Sequence, residues 1–275
     1  GALGGRLKMA MTGGAALDPK IQLFFTDLGI PIIEGYGLTE TSPLVVSEKF
    51  AATELGQGGL TAVPDCIAAI TNPENPQQLL LPGTEGEITV IGDNVMVGYH
   101  NNPKATAECI VEIQGKRAFL TGDLGVLNTE GVLRITGRIK EQYKLENGKF
   151  VSPAVLESKL ALSPFINQIF VEGANRPHNV ALVHPSIEAL SAVIPGLAPD
   201  ATELTSDQEK EARKIIAHEL EAAEPSIKHY EHVKAFKLID EPFTIDNGML
   251  TPKMSQKRPI IAKAYSDVIA ALYEA

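Results

Sequence analysis

Cysteine is scarce in this chain of 275 residues, with Cys66 and Cys109 the only two. Two isolated thiols exclude a disulfide framework and a cysteine-rich zinc site; they read as buried apolar fillers in a reducing compartment. Long apolar runs are missing as well. None approaches the ~20 residues that span a bilayer, and no basic-then-apolar leader opens the sequence. The expectation is a soluble protein that is not secreted, either cytoplasmic or peripheral on an intracellular membrane. Basic clusters are absent too: the formal charge is −10 and Lys and Arg are scattered, which argues against a nucleic-acid partner. His229 and His232 have no third ligand and no HExxH pattern, so they read as surface histidines. No GxSxG elbow occurs, which removes a serine nucleophile and with it a covalent acyl-enzyme. There is no internal repeat.

What is present suits a packed core. Hydrophobic residues make up 44% and charged residues 21%, and the length allows two domains. The opening Gly1-Ala2-Leu3-Gly4-Gly5 leads straight into an apolar strand, Leu7 to Met11, which reads as a start in mid-domain. Up to about residue 137, short apolar runs alternate with Gly and Pro, and helices are few. Residues 87–91 and 131–136 read as strands. Asn102-Pro103 opens a short helix through Glu108. After residue 140 the texture changes. Ser152-Pro153 supplies an N-cap and a proline at N1 for a helix to about Ser163. Strands follow near 168–172 and 180–184, then a helix over 206–223 with Ile215, Ile216 and Leu220 on one face and a Glu209–Arg213 pair on the other. A strand over 233–239 and a single last helix over 259–273 complete an α+β unit.

The segment Gly35-Tyr36-Gly37-Leu38-Thr39-Glu40 begins like a dinucleotide fingerprint. Glu40 stands where the third glycine belongs and would repel a pyrophosphate, so a Rossmann reading fails. Two glycines permit close ligand approach, an aromatic offers a stacking face, a hydroxyl can bond a phosphate and a carboxylate can hold a hard cation. Together they describe a nucleotide–Mg²⁺ site. Asp123, in what reads as a Thr-Gly-Asp turn, can accept both ribose hydroxyls or close its own loop as an Asx-turn.

Residues 35–41 resemble the tyrosine-glycine-x-threonine-glutamate motif of the adenylate-forming superfamily, which contains acyl-CoA synthetases. Met11-Thr12-Gly13-Gly14-Ala15-Ala16-Leu17, Leu120-Thr121-Gly122-Asp123-Leu124 and Gly137-Arg138-Ile139-Lys140-Glu141-Gln142-Tyr143-Lys144 match further motifs in the family's order. The resemblance implies an α/β and α+β architecture. Residues 1–139 would be the β-rich C-terminal part of a large AMP-binding domain, and 140–275 a small mobile C-terminal domain. Tyr36 would stack on adenine, with Gly13, Gly14, Ala15, Glu34, Gly35 and Gly37 around it. Thr39 would bond the α-phosphate, Glu40 would hold Mg²⁺, Asp123 would take the ribose and Arg138 ribose or phosphate. Lys140 would be the hinge of a domain rotation.

Asn247 to Arg258 resembles the family's last motif, whose lysine reaches the substrate carboxylate and phosphate. Lys257 is the candidate, with Lys253 as rival, because the family commonly has glycine before this lysine and this chain has Gln256. Residues 92–106 and 144–153 resemble long-chain fatty acyl-CoA synthetases, with Gly148 allowing close approach of the pantetheine arm of CoA. The implied substrates are a fatty acid, ATP and CoA, with Mg²⁺. Acyl carrier protein as the thiol acceptor, or a non-catalytic nucleotide or acyl-CoA binding module, are the alternatives. The family's phosphate loop lies upstream of these motifs and is not in this sequence. The resemblance thus implies a C-terminal portion, inactive by itself, with exposed apolar surface on residues 1 to about 137.

Overall fold

A computed structural model describes residues 5–14, 17, 19–48, 61–223, 225 and 227–274. The chain divides into two compact units, Gly1–Lys140 and Glu141–Ala275.

The first unit holds two sheets. Strand β1 (Ala10–Gly13) runs parallel to β2 (Ile32–Gly37), with helix α1 (Pro19–Asp27) as the crossover, and β3 (Leu44–Ser47) and β4 (Thr61–Ala62) add on antiparallel in the order β1-β2-β3-β4. The second sheet contains β5 (Cys66–Asn72), β6 (Asn75–Leu79), β7 (Glu85–Gly92), β8 (Ile110–Ile113), β9 (Lys116–Leu127) and β10 (Leu133–Arg138). Its order is β10-β9-β7-β5-β6, with β8 also on β9, all antiparallel. β7 is covered from Gly86 to Ile91, so its apolar run reads as a central strand rather than an alternating one. Val45 and Val46 from the first sheet join Ile70, Ile88, Val90, Phe119 and Leu133 from the second in one core.

Helix α2 (Pro103–Cys109) links the β7 and β8 regions; the Asn102 side chain accepts from the Ala105 amide and Pro103 fills the first turn, where its missing N–H costs nothing. Cys66 is buried, whereas Cys109 is only half-buried, because α2 lies at the surface with no buried residue.

Helix α1 reverses the ordinary rule. Its buried residue is Gln22, which donates to Ile32 O and to Glu48 Oε2, while Ile21, Leu23 and Phe24 are exposed. Met9 and Met11, beside and on the edge strand β1, are exposed as well.

The second unit is a three-layer α+β body. A hairpin of β11 (Tyr143–Lys144) and β12 (Phe150–Val151) precedes α3 (Pro153–Leu160). The Ser152 hydroxyl does not cap this helix; it accepts from Gln142 Nε2 at 2.9 Å, leaving Pro153 in the first turn as the local start signal. The sheet is β13 (Ile166–Glu172), β14 (Asn179–Pro185) and β15 (Val233–Leu238), in that order, antiparallel and then parallel. A parallel pair needs a crossover, and here it contains α4 (Ile187–Ser191) and α5 (Ser206–Ala223).

Strand alternation sends Ile169, Val171, Ala181 and Val183 to one face, against Leu156, Leu160, Ala212, Ile216 and Leu220. Phe170, Val180 and Leu182 go to the other, against Phe243, Leu250, Ile261 and Ile269. On the outer face of α5, Glu209 takes Lys237 at 3.3 Å and Arg213 lies over the Phe236 ring, 5.2 Å from its centroid, so both reach the neighbouring strand rather than each other. The last helix is two, α6 (Arg258–Ala264) and α7 (Ser266–Ala271). The break falls at Tyr265 (φ −108, ψ 21), whose ring packs edge-on against Phe243, and Ile261 and Ile269 on either side of it both reach the core.

Candidate functional site

β2 carries the glycine-rich segment and ends in a single 3₁₀ turn, Thr39–Thr41. The buried Thr41 hydroxyl closes that turn: it accepts from Leu38 N–H at 3.1 Å and lies 3.0 Å from the Leu38 and Pro43 carbonyls. Gly37 is required here, since a Cβ would collide with the Pro43 carbonyl. Gly37→Ala is accordingly expected to destabilise the first unit by about 2 kcal/mol or more, read as a lower denaturant midpoint with an unchanged slope. Gly13 sits opposite Gly35 in the β1–β2 register, and a Cβ on Gly13 would be 3.0 Å from Gly35 O. Gly14 is left-handed (φ 89) in the loop beyond β1. Glu34 is buried and its Oε1 accepts the Leu17 amide at 3.1 Å, which ties the same loop to β2; burial pushes its carboxyl up despite that bond. Ala15 lies outside the described residues.

The Thr-Gly-Asp segment is not a turn. Asp123 lies inside β9, at the point where the register with β7 shifts and Gly122 takes φ 73. Thr121 Oγ1 donates to Ile88 O at 2.7 Å and accepts the Asp123 amide at 3.0 Å, and Glu87 Oε1 accepts the Gly122 amide at 2.8 Å. These bonds aim the Asp123 carboxylate. One of its oxygens accepts from Tyr36 Oη at 2.7 Å and the other from Arg138 Nε at 2.6 Å. The Asp123 side chain is 9% exposed and that of Arg138 is 52% exposed, so the pair spans the boundary between core and solvent. Burial pushes the Tyr36 phenol up, and the Asp123 charge pushes it further, so Tyr36 remains a proton donor to Asp123. Each carboxylate oxygen keeps a second acceptor direction for a ligand hydroxyl.

Thr39 is exposed and Glu40 half-buried on the 3₁₀ turn. A residue that sequence reasoning passed over, Tyr99, donates its hydroxyl to Glu40 Oε1 at 2.8 Å; burial and the Glu40 carboxylate push the Tyr99 phenol up to about 12. Three more bonds sew the turn to the following loop: Met96 N–H to Glu40 O at 2.8 Å, Ser42 Oγ to Asn94 O at 3.0 Å, and Asn94 Nδ2 to Thr41 O at 3.0 Å. Among the described residues no group of three or more His, Cys, Asp or Glu is placed to hold a metal ion. The Glu40 carboxylate, half-buried on the turn, is an oxygen donor of the kind Mg²⁺ takes.

Lys140, exposed in the 3₁₀ turn Ile139–Glu141, is the last residue of the first unit. In the second unit, Gly148 turns the β11–β12 hairpin with φ 82, its amide donating to Leu145 O at 2.9 Å. Lys144 Nζ lies 5.6 Å from the centroid of the exposed Phe150 ring.

Lys257 is half-buried at the N-cap of α6, its amide donating to Met249 O at 2.8 Å. The loop before it is a tight reversal in which Leu250 and Gln256 pair and the Thr251 amide donates to Ser255 O at 2.8 Å. Its left-handed residue is Met254 (φ 64), the conformation glycine takes without strain. A glycine–lysine pair laid on this loop therefore falls on Met254 and Ser255, with Lys253 and Lys257 on either side.

The neighbours of Lys257 are buried and bonded. Gln256 Nε2 donates to Ile169 O at 2.8 Å, Arg258 Nη1 to Glu157 Oε1 at 2.7 Å, and Arg258 Nη2 to Val171 O. Burial outweighs the Arg258 and Val171 bonds and holds the Glu157 carboxyl up to about 7. Because this acid is raised above its ordinary 4.5, its contribution to stability is complete below about pH 4.5 and is lost as pH climbs through 7. The second unit should thus lose stability from this group as pH rises from 4 to 8. Glu157→Gln is expected to flatten that part of the profile in denaturant titrations.

Comparison with known proteins identifies the family. The sequence profile of the AMP-binding enzyme family matches residues 1–100, and that of the AMP-binding enzyme C-terminal domain matches residues 140–275. Long-chain-fatty-acid–CoA ligase FadD15 of Mycobacterium bovis is 34% identical over 274 residues, covering 99% of this chain and 43% of that protein. The chloroplastic long-chain-fatty-acid–[acyl-carrier-protein] ligase AEE15 of Arabidopsis thaliana is 31% identical over 276 residues, covering 97% of this chain and 36% of that protein. Among solved structures, the A domain of a carboxylic acid reductase from Segniliparus rugosus, in complex with AMP and a co-purified carboxylic acid, is 28% identical with a TM-score of 0.69. It covers 99% of this chain and 40% of that one. The chain spans less than half the length of the curated relatives it matches.

Proposed function

The chain belongs to the AMP-binding enzyme family, and from that premise we propose that it forms part of an ATP-dependent ligase that activates a long-chain fatty acid as an acyl-adenylate and passes the acyl group to CoA. The observation that carries the reading is the Tyr36–Asp123–Arg138 set. Residues 87 and 15 positions apart in sequence meet at one carboxylate whose remaining acceptor directions suit the vicinal hydroxyls of a ribose.

In this reading Tyr36 offers its ring face to adenine, and the Gly13, Gly14 and Gly35 backbone leaves room for the base. Asp123 accepts the ribose hydroxyls while Arg138 holds the carboxylate and adds a cation beside the phosphate. Thr39, exposed on its turn, donates to the α-phosphate. Glu40 would hold Mg²⁺, which supplies charge neutralisation on the phosphate oxygens when bound. Attack of the fatty-acid carboxylate on the α-phosphate expels pyrophosphate, and the lysine at 257 stabilises the charge that builds there. Rotation at Lys140 then removes that lysine and admits the thiol, with Gly148 beside the pantetheine arm.

Long-chain acids are favoured by the name of the mycobacterial relative, and CoA over a carrier protein likewise; the name of the plant relative keeps acyl carrier protein as the second reading. The test is fatty-acid-dependent pyrophosphate release by the intact protein, with CoA and acyl carrier protein supplied separately as acceptors. Release with one chain-length class and thioester on CoA alone is the expected result. No release with any acid would sink the ligase reading in favour of a binding module that keeps the fold.

A further inference from the structure

The open edge of β13 is closed by side chains that flank Lys257. β13 is the outer strand of its sheet, so the backbone groups on its far side face away from β14 and need partners. Three side chains provide them: Gln256 Nε2 bonds Ile169 O at 2.8 Å, Arg258 Nη2 bonds Val171 O, and Glu157 Oε1 accepts the Val171 amide at 2.7 Å. Glu157 Oε1 also receives Arg258 Nη1 at 2.7 Å, and the Arg258 guanidinium carbon lies 4.4 Å from the centroid of the Phe170 ring. The planar fork of arginine is what lets one side chain serve a carboxylate and a carbonyl at once.

We propose that Gln256, Arg258 and Glu157 form a clamp on the edge of β13 that positions Lys257 for the adenylation step, an inference that rests on the role given to Lys257 above. The residues immediately before and after Lys257 are each fixed to alternate carbonyls of one strand, and the Lys257 amide is fixed to Met249 O at 2.8 Å. Backbone freedom at 257 is thereby removed, and the ammonium leaves a fixed origin. The side chain of Gln256 goes to the strand, and Lys257, one residue on, is half-buried at the N-cap of α6. The clamp carries a cost that argues for a positional role: Gln256 Oε1 is buried with no hydrogen-bond partner.

The test uses the intact protein with oleate, ATP and CoA, and compares Gln256→Ala, Arg258→Met and Lys257→Ala. Three quantities are read: acid-dependent pyrophosphate release, thioester formation from preformed oleoyl-adenylate, and the rate of reductive methylation of Lys257 by mass spectrometry. Gln256→Ala and Arg258→Met are expected to slow pyrophosphate release by about tenfold or more, to leave thioester formation within about twofold, and to speed methylation of Lys257. Gln256→Ala removes a single hydrogen bond, so it reports even if Arg258→Met fails to fold. Equal loss in both half-reactions would overturn the proposal in favour of a purely structural clamp. Unchanged pyrophosphate release in the clamp variants, with loss in Lys257→Ala, would overturn the clamp and leave the lysine standing. Unchanged release in Lys257→Ala would overturn both.

Discussion

Lys257→Ala in the intact protein is expected to lower fatty-acid-dependent pyrophosphate release by on the order of 10²- to 10³-fold, the loss typical of removing one aligned charge stabiliser from a transition state. Conversion of preformed acyl-adenylate to thioester should persist, because there the thiol attacks the acyl carbon and AMP leaves after the rotation has withdrawn Lys257. The loop geometry sharpens the experiment. Its glycine-favouring position is Met254 and not Gln256, so Ser255 sits where a glycine–lysine pair would put its cation. Residues 255 and 257 flank Gln256, which pairs with Leu250. Ser255→Lys, added to Lys257→Ala, should therefore restore pyrophosphate release, most fully when Met254→Gly relieves the left-handed position. Lys253→Ala separates the remaining rival. If it abolishes release while Lys257→Ala does not, the cation comes from the turn and not from the N-cap of α6.

Much of the architecture was legible because it is written locally. Asn102-Pro103 announced α2 and Pro153, though not a Ser152 cap, announced α3, and the Ile216–Leu220 face of α5 is buried as its spacing required. Helix α1 was not legible, for a physical reason: Gln22 is buried while Ile21, Leu23 and Phe24 are exposed, so its pattern follows a surface rather than a core. The break at Tyr265 also escaped, since the apolar spacing on its two sides is compatible with one continuous helix. Polar pairs were the hardest to foresee. Tyr99 and Glu40 are 59 residues apart, and Arg258 and Glu157 are 101 apart, separations at which periodicity carries no information. The motif residues themselves stood out, but their mutual bonds, such as Tyr36 to Asp123 at 2.7 Å, exist only because β2 and β9 meet in three dimensions.

Asp123→Ala should reduce affinity for AMP by on the order of 10²-fold, from the loss of charge-assisted hydrogen bonds to the ribose hydroxyls. Calorimetric titration of the intact protein with AMP measures this directly. The same substitution leaves Arg138 without its 2.6 Å partner and Tyr36 without its acceptor, so a control must separate ligand contact from scaffold. Tyr36→Phe serves: it keeps the ring face for adenine and removes only the hydroxyl that touches Asp123. If Asp123 acts on the ligand, Tyr36→Phe should cost AMP affinity no more than about fivefold, far less than Asp123→Ala, while Tyr36→Ala costs more by losing the stacking surface. If Tyr36→Phe and Asp123→Ala weaken AMP equally, the carboxylate acts only by holding the tyrosine, and the ribose must be bound elsewhere.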